Sequence, residues 1–338
     1  MRVALMGAGS LGTVIGALAA KEDQEIILID ANQDHVKTLR EKGATVTGKA
    51  KLNEKVTAIT PDEMEGTYDI VLYLVKQTHN ETALNSLLSH LHEESVVCTL
   101  QNGVPENEVA KYVGEERTLG GTVGWGATWV EPGVSELTSP LDKMTYDVGE
   151  INGEVTERAK KVTEILNYAG QAYLTTNLMG HRWAKLLINA TLSGMSAILG
   201  CTFGEVLDDD KALTCVAHIG DEIIEVSKTL GIKLEPIQGN DLSVLSFETK
   251  EERQHKMELY KQIFGPHRAL KASMLQDLEK GRRTEIGGLN GIVCEIGEDY
   301  NVPTPVNDQV TKLVKDIEGS KLKYEFSNLE LFEIPEIN

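Results

Sequence analysis

The sequence predicts an α/β protein: an N-terminal Rossmann-type domain with a doubly wound parallel sheet, followed by an all-α C-terminal domain. Three observations lead to this prediction. Apolar, strand-like runs alternate with helix-like segments over the first hundred residues, which is typical of parallel strands joined by crossover helices. A glycine-rich turn follows the first of these runs. Beyond Asn177 the apolar residues recur almost wholly at helical spacing.

The apolar patterns also place the individual elements. Strands are expected at 2–6, 25–30, 69–75, 95–100 and 171–175, with short strands and turns over 119–150. Helices of the first domain are expected from Leu11 and over 36–42, 77–91 and 154–169. Helices of the second are expected near 179–199, 205–230, 249–262, 270–280, 284–299 and 304–318. The predicted domains are therefore 1–177 and 178–323, followed by a tail over 324–338 that is either weakly structured or an arm.

Composition excludes several classes of function. The 338 residues, enough for about two domains, carry a formal charge of −19, so neither nucleic acid nor an anionic membrane is an expected partner. No stretch reaches the roughly 20 apolar residues of a membrane span, and the N-terminus lacks a signal-peptide core. The four cysteines form no CxxC pair, which predicts no metal site and reduced thiols in the cytoplasm. The apolar helical faces are compatible with a homodimer as well as with a single chain.

The glycine-rich turn is the first candidate site. It consists of six residues: Gly7, Ala8, Gly9, Ser10, Leu11 and Gly12. In a dinucleotide fingerprint the first glycine permits the tight turn, the second lets the pyrophosphate approach, and the third lets helix and strand pack. The pyrophosphate then lies on the positive N-terminus of the helix. The alternative is a glycine-rich turn in an α/β protein that binds no cofactor.

Asp30 ends the second predicted strand, 18 residues beyond Gly12. Its carboxylate would accept hydrogen bonds from the ribose hydroxyls and repel a 2′-phosphate, and no arginine follows it in Ala31-Asn32. Asp30 therefore favours NAD over NADP. The alternative is an acid that only caps the following turn.

Polar residues follow two further strands, at the sheet edge where ligands of α/β proteins bind. Lys76 comes directly after the run DIVLYLV, and Asn102 follows the fourth predicted strand. Lys76 is a candidate to lie near the nicotinamide and Asn102 is a candidate to contact a ligand, although Asn102-Gly103 is also an ordinary turn dipeptide.

The helical domain contains two polar stripes. Lys185, Asn189 and Ser193 are spaced four residues apart, so they share one face of an otherwise apolar helix. Ser273 and Asp277 share a face of a later helix, and Glu285 follows Thr284 in a pattern that also fits a helix cap. A solvated helix face is the alternative for Lys185 alone, whereas Asn189 and Ser193 on the same face favour a site built on the helix.

Taken together, these motifs make the chain similar to the ketopantoate reductase family (2-dehydropantoate 2-reductases). The similarity extends over nearly the whole chain, and its motifs occur in the family's order: Gly7-x-Gly9-x-x-Gly12, Val75-Lys76, Gln101-Asn102-Gly103, Trp183-x-Lys185-x-x-x-Asn189, Ser273-Met274-x-x-Asp277 and Arg283-Thr284-Glu285-Ile286. The resemblance implies reduction of a 2-oxo acid to a D-2-hydroxy acid by NAD(P)H, with ketopantoate and pantoate as the type.

The resemblance also implies roles for single residues. Lys185 resembles the catalytic lysine that protonates the carbonyl oxygen, and Glu285 resembles the acid that assists it. The residues that resemble substrate or nicotinamide contacts of the family are Asn189, Ser273, Lys76 and Asn102. Ser193, at a position where the sequence departs from the family, is a further candidate to bind the substrate.

Two departures from the motifs of the family leave open which 2-oxo acid is the substrate and whether the cofactor is NAD or NADP. Ser193-Gly194 stands where the family usually has Asn-Pro, and Asp30-Ala31-Asn32 stands where members that use NADP, the usual cofactor, carry a basic residue. Both favour a broader NAD-dependent D-2-hydroxyacid dehydrogenase that acts on branched or aromatic 2-oxo acids. A non-catalytic dinucleotide sensor is the alternative of another class.

Overall fold

The computed structural model describes residues 1–237 and 239–337, which form two compact units. The first unit consists of Met1–Gln101 and Pro105–Leu178. The second consists of Asn102–Val104 and the chain from Met179 onward.

An eight-stranded sheet forms the centre of the first unit. The strands of this unit are β1 (Val3–Met6), β2 (Ile27–Ile29), β3 (Ala44–Gly48), β4 (Leu52–Glu54), β5 (Ala58–Ile59), β6 (Tyr68–Tyr73), β7 (Leu91–Thr99), β8 (Thr118–Val123), β9 (Ala127–Glu131), β10 (Val134–Leu137), β11 (Thr145–Gly149) and β12 (Gln171–Leu174). The large sheet has the order β12-β11-β8-β7-β6-β1-β2-β5. All neighbouring strands in it are parallel except β8 and β11.

Helices cover both faces of this sheet. They are α1 (Ser10–Lys21), α2 (Gln33–Lys42), α3 (Asn80–Leu87), α4 (Glu106–Val113) and α5 (Glu157–Leu166). Successive residues of β1 face opposite sides: Val3 and Leu5 share a core with α1 and α5, whereas Ala4 and Met6 share a core with α3 and α4. This alternation explains why the strand is apolar throughout. The doubly wound fold predicted from the sequence is thereby confirmed.

A second sheet in the first unit was not predicted. Its strand order is β4-β3-β10-β9, with β3 and β10 parallel and the outer pairs antiparallel. Val46 and Leu137 of this sheet are buried in the same core as α1. Helix α4 was also absent from the prediction. The predicted strands over 119–150 correspond to β8–β11.

The second unit is helical. Its helices are α6 (Leu178–Leu199), α7 (Phe203–Asp208), α8 (Asp210–Thr229), α9 (Lys250–Phe264), α10 (Ser273–Glu279), α11 (Asn290–Asp299) and α12 (Pro305–Glu318). The predicted helix over 205–230 is divided in two, because the Asp209 side chain accepts hydrogen bonds from the N–H groups of Lys211 and Ala212 and so caps α8. The predicted helix over 284–299 begins instead with a 3₁₀ turn, Ile286–Gly288.

The described residues after Lys323, 324–337, contain a regular element, although the sequence predicted a weakly structured tail or an arm. This segment contains a 3₁₀ helix, Phe326–Leu331, and the side chains of Leu329 and Phe332 are buried in the core of the second unit. Asn328 Nδ2 donates a hydrogen bond to the carbonyl of Ile198 at 3.0 Å. Apolar residues three positions apart are enough to fix this segment against α6. Among the helices of the described residues, none is long and apolar enough to cross a membrane.

Glu222 of α8 anchors a buried polar network in the second unit. Its carboxylate accepts hydrogen bonds from the backbone N–H groups of Val306 and Asn307, both at 2.9 Å, and from Asn307 Nδ2 at 2.7 Å. Asn290 Nδ2 donates to Asn307 Oδ1 at 2.9 Å and to the carbonyl of Ala190 at 3.2 Å. The network therefore links α8, α12, α11 and α6.

Glu222 is expected to make the stability of the fold depend on pH. Burial raises the pKa of its carboxyl from 4.5 to about 7, although three N–H donors limit the increase. The folded state thus binds this proton more tightly than the unfolded chain does. The stability that this group contributes is complete below pH 4.5 and is lost as the pH rises through about 7, by up to about 3 kcal/mol.

Thermal denaturation of the wild type and Glu222→Gln at pH 5 and pH 8 measures this effect. Between pH 5 and pH 8 the melting temperature of the wild type should fall more than that of Glu222→Gln. Glu225→Gln, at an exposed position of the same helix, serves as the control and should follow the wild type. Parallel profiles for the wild type and Glu222→Gln would contradict the assignment.

Candidate functional site

Two glycines of the β1–α1 turn are required by the fold itself. Gly7 has a φ of +94°, and a Cβ atom there would lie 2.6 Å from the backbone nitrogen of Val75. A Cβ on Gly12 would lie 2.7 Å from both the carbonyl oxygen of Gly7 and Cδ2 of Leu5. The turn therefore contacts the strand end that precedes Lys76, and helix α1 packs directly on its own turn.

Gly9 differs from these two glycines, because a Cβ atom there would meet no atom within 4 Å. Gly9 immediately precedes α1, supplies no side-chain cap, and is followed by a first turn without acidic residues. The turn thus presents open space at the positive end of a helix. A pyrophosphate fits such a cradle at Gly9, Ser10 and Leu11, which are half-buried. Ala8, also predicted to contact the cofactor, is instead fully buried, and its N–H donates to the carbonyl of Ile29 at 3.3 Å.

Asp30 lies directly after β2 and is half-buried. Its Oδ1 accepts a hydrogen bond from the N–H of Asn32 at 2.9 Å, and the Asn32 side chain in turn caps α2. The turn-capping role considered for Asp30 is therefore present. It is compatible with ribose binding, since a carboxylate has two acceptor oxygens.

Lys76 is exposed at the carboxyl end of β6, and the strand end behind it is held by Gln101. The buried Gln101 Nε2 donates to the carbonyl of Val75 at 2.5 Å and to Asn80 Oδ1 at 2.7 Å. Because β1, β6 and β7 are parallel neighbours, their carboxyl ends lie at one edge of the sheet. Gly7, Lys76 and Gln101 are thus brought together there. Gln101 precedes the candidate Asn102 in the sequence, but no role was predicted for the Gln101 side chain.

The polar stripe of the second unit lies on α6. Lys185 and Asn189 are half-buried and Ser193 is only 8% exposed, whereas Trp183 and Leu186 on the other sides are fully buried. The spacing of four places the three polar residues on one face. The side chains of a fully solvated helix face would be more exposed than those of Lys185, Asn189 and Ser193. Asn102, grouped with this unit, is also half-buried.

The other candidates of the second unit lie on and after α10. Ser273 is the exposed first residue of α10, and Glu285 is half-buried directly before the 3₁₀ turn. Both the backbone N–H and the hydroxyl of Thr284 donate to Glu318 Oε1 at 2.6 Å. The backbone next to Glu285 is therefore fixed to the end of α12. No group of three or more potential metal ligands occurs among the residues that the structure describes.

Comparison with known proteins gives matches along nearly the whole chain. The family model described as "Ketopantoate reductase PanE/ApbA" matches residues 3–153, and "Ketopantoate reductase PanE/ApbA C terminal" matches residues 177–318. A 2-dehydropantoate 2-reductase of Archaeoglobus fulgidus is 31% identical over 94% of this chain and 98% of its own. The corresponding protein of Pyrococcus horikoshii is 29% identical over 93% and 97%.

Solved structures agree with these matches. A ternary structure of D-mandelate dehydrogenase with NADH and anilino(oxo)acetate has a TM-score of 0.81 at 26% identity, covering 95% of this chain and 99% of the other. A PanE/ApbA family ketopantoate reductase from Ralstonia eutropha has a TM-score of 0.79 at 25% identity, with the same coverage.

The glycines of the turn should respond differently to alanine. Gly12→Ala forces a Cβ atom against the Gly7 carbonyl and should lower the free energy of unfolding by about 1–3 kcal/mol. Gly9→Ala places its Cβ atom in open space, so its cost should be limited to that of alanine at the N-cap of α1, within about 1 kcal/mol, and should be smaller than that of Gly12→Ala. Urea denaturation without any dinucleotide measures both, and equal effects of the two substitutions would refute the packing described for Gly12.

Proposed function

Because this chain belongs to the ketopantoate reductase family and is an NAD(P)-dependent oxidoreductase, we propose that it reduces a 2-oxo acid to a D-2-hydroxy acid. The type reaction converts ketopantoate to pantoate. The observation that carries the proposal is the polar stripe on α6, which gives an otherwise buried helix one ammonium group with an amide and a hydroxyl beside it. Such an arrangement suits a small anionic substrate with a carbonyl oxygen.

The glycine-rich turn is proposed as the pyrophosphate site of the cofactor. When bound, the reduced nicotinamide supplies the hydride for the carbonyl carbon. The open space at Gly9 and the uncapped start of α1 support this assignment. Asp30, which is followed by Ala31 and Asn32 rather than by a cation, supports NADH over NADPH.

Lys185 is proposed as the proton donor of the reaction. Negative charge builds on the carbonyl oxygen as the hydride arrives at the carbonyl carbon, and a positioned ammonium stabilises this charge and then protonates the oxygen. Glu285 would hold the ammonium in place. The half-buried position of Lys185 on a packed helix supports this role, because its backbone is rigid.

The other candidate residues are proposed to bind and orient. The side chains of Asn189, Ser193 and Ser273 are proposed to bind the carboxylate and hydroxyl groups of the substrate. Lys76 and Asn102 are proposed to contact the nicotinamide. The hydroxyl and amide groups donate hydrogen bonds to anionic oxygens without adding charge.

A second candidate substrate class has its own support. The ligand in the D-mandelate dehydrogenase structure, anilino(oxo)acetate, carries an aromatic ring on a 2-oxo acid. This chain has Ser193-Gly194 where the ketopantoate pattern has Asn-Pro, so a part of the pocket that reads the pantoyl hydroxyl is altered. Branched or aromatic 2-oxo acids are therefore the alternative to ketopantoate.

Replacement of the proposed proton donor should separate turnover from cofactor binding. Lys185→Ala is expected to lower kcat by about 10²–10⁴-fold and to leave the Kd for NADH nearly unchanged. Lys312→Ala, at an exposed lysine of α12, is the matched control and should retain full turnover. Steady-state kinetics and calorimetric titration check the two quantities. Unchanged turnover of Lys185→Ala would refute its role.

Kinetics with two cofactors and three acids should identify the reaction. We expect kcat/KM to be at least about tenfold higher with NADH than with NADPH, which corresponds to about 1.4 kcal/mol, and Asp30→Ala to narrow this ratio. The acids are ketopantoate, 2-oxoisovalerate and phenylglyoxylate. The acid with the highest kcat/KM decides between the two substrate classes. A preference for NADPH would overturn the role of Asp30, and NADH binding without turnover of any acid would indicate a sensor.

A further inference from the structure

His35 of α2 is fully buried in the first unit, and both of its ring nitrogens are hydrogen-bonded. Nδ1 accepts a hydrogen bond from the N–H of Gly133 at 2.9 Å, and Nε2 lies 2.7 Å from the carbonyl oxygen of Ala8. Since Nδ1 is the acceptor, Nε2 carries the proton and donates a hydrogen bond to the carbonyl oxygen of Ala8. Burial also lowers the pKa of His35, which favours this neutral form.

Thr13 holds the same part of the turn from helix α1. Its hydroxyl lies 2.9 Å from the carbonyl oxygen of Ala8 and 2.8 Å from that of Gly9. Both carbonyls therefore point towards buried donors. In a trans peptide the C=O of one residue and the N–H of the next point in opposite directions. The N–H groups of Gly9 and Ser10 are consequently directed away from His35 and Thr13.

The backbone of His35 is connected to the proposed ribose site as well. Its N–H donates to Asn32 Oδ1 at 3.1 Å, and the N–H of Asn32 donates to Asp30 Oδ1 at 2.9 Å. The indole of Trp129 packs on the imidazole, with ring centroids 4.5 Å apart. His35 thus joins three segments: the glycine-rich turn, the turn after β2, and the β9–β10 turn that contains Gly133.

We propose that His35 is a positioning residue for the dinucleotide, because its ring fixes the Ala8 carbonyl and thereby aims the Gly9 N–H at the pyrophosphate. The proposal rests on the proposed function, in which the glycine-rich turn holds the cofactor. An anion bound by backbone N–H groups depends on their direction. In this chain that direction is set by a side chain 27 positions away.

Two substitutions of His35 separate the bond to Ala8 from the bond to Gly133. The amide nitrogen of glutamine reaches the place of Nε2, so His35→Gln keeps the donor to Ala8. The amide oxygen of asparagine reaches the place of Nδ1, so His35→Asn keeps the acceptor for Gly133 and loses the bond to Ala8. A purely structural role for His35 predicts no such ordering of affinities.

The Kd for NADH, measured by calorimetry without substrate, is the main measurement. His35→Asn should raise the Kd about tenfold or more, because a Gly9 N–H that is no longer aimed loses roughly one hydrogen bond to the pyrophosphate. The Kd of His35→Gln should stay within about threefold of that of the wild type. The kcat of both variants at saturating NADH should remain near that of the wild type. His218→Asn, which alters a buried histidine of the second unit, controls for loss of stability and should not change the Kd.

The possible outcomes are distinct. Equal Kd values for the wild type and His35→Asn, or equal losses in His35→Asn and His35→Gln, would overturn the proposal. If His35→Asn does not fold, His35→Gln still decides, because it keeps the donor to Ala8: a rise of tenfold or more in its Kd for NADH would then overturn the proposal. A wild type that binds no dinucleotide would instead refute the proposed function, and this is seen before any variant is compared.

Discussion

The close approach of backbone to backbone at the β1–α1 turn is the constraint on which the first unit depends. Strand β1 lies inside the large sheet between β2 and β6. Gly7 lies against the backbone of Val75, and Gly12 lies against the carbonyl of Gly7. A side chain at Gly12 would push α1 away from β1, and a side chain at Gly7 would push the turn away from the backbone at Val75. Gly9 lies between these two glycines and has open space where a Cβ atom would be, so one turn combines close packing at Gly7 and Gly12 with room at the start of α1.

This arrangement also explains how a chain with a formal charge of −19 suits anionic ligands. Backbone N–H groups at a helix start carry partial positive charge and need no lysine or arginine. Their disadvantage is that they cannot adjust as a side chain does, so the peptide planes must already point the right way. Buried donors such as Thr13 and His35 fix the peptide planes of the turn. Net charge therefore describes the surface of this protein and says little about its sites.

Much of the fold could be predicted from the sequence, and the exceptions share a cause. Continuous apolar runs such as 69–75 and the long apolar helix α6 are strong local signals. The second sheet was missed because β3 has threonine at two of its five positions and β4 has only three residues. In addition, the pairing of β3 with β10 joins segments about 90 positions apart. The roles of Gln101 and His35 were missed for the same reason, because their partners are distant in sequence. The candidate residues of α6 could be named from the sequence because their spacing is local, and the structure places them on one helix.

The buried network behind α6 bears on substrate choice. Asn290 donates to the carbonyl of Ala190, and a Cβ atom on Gly194 would lie 2.6 Å from Cγ1 of Val310, so the middle of α6 is packed tightly against α11 and α12. A helix held in this way does not shift to suit a substrate. Under the proposed function, the side chains on the polar face of α6 are therefore one set of groups that sets the substrate specificity. Under the proposed function, serine in place of asparagine at position 193 shortens one side chain on a fixed backbone, which leaves room for a larger substituent on the 2-oxo acid and removes one amide from the site.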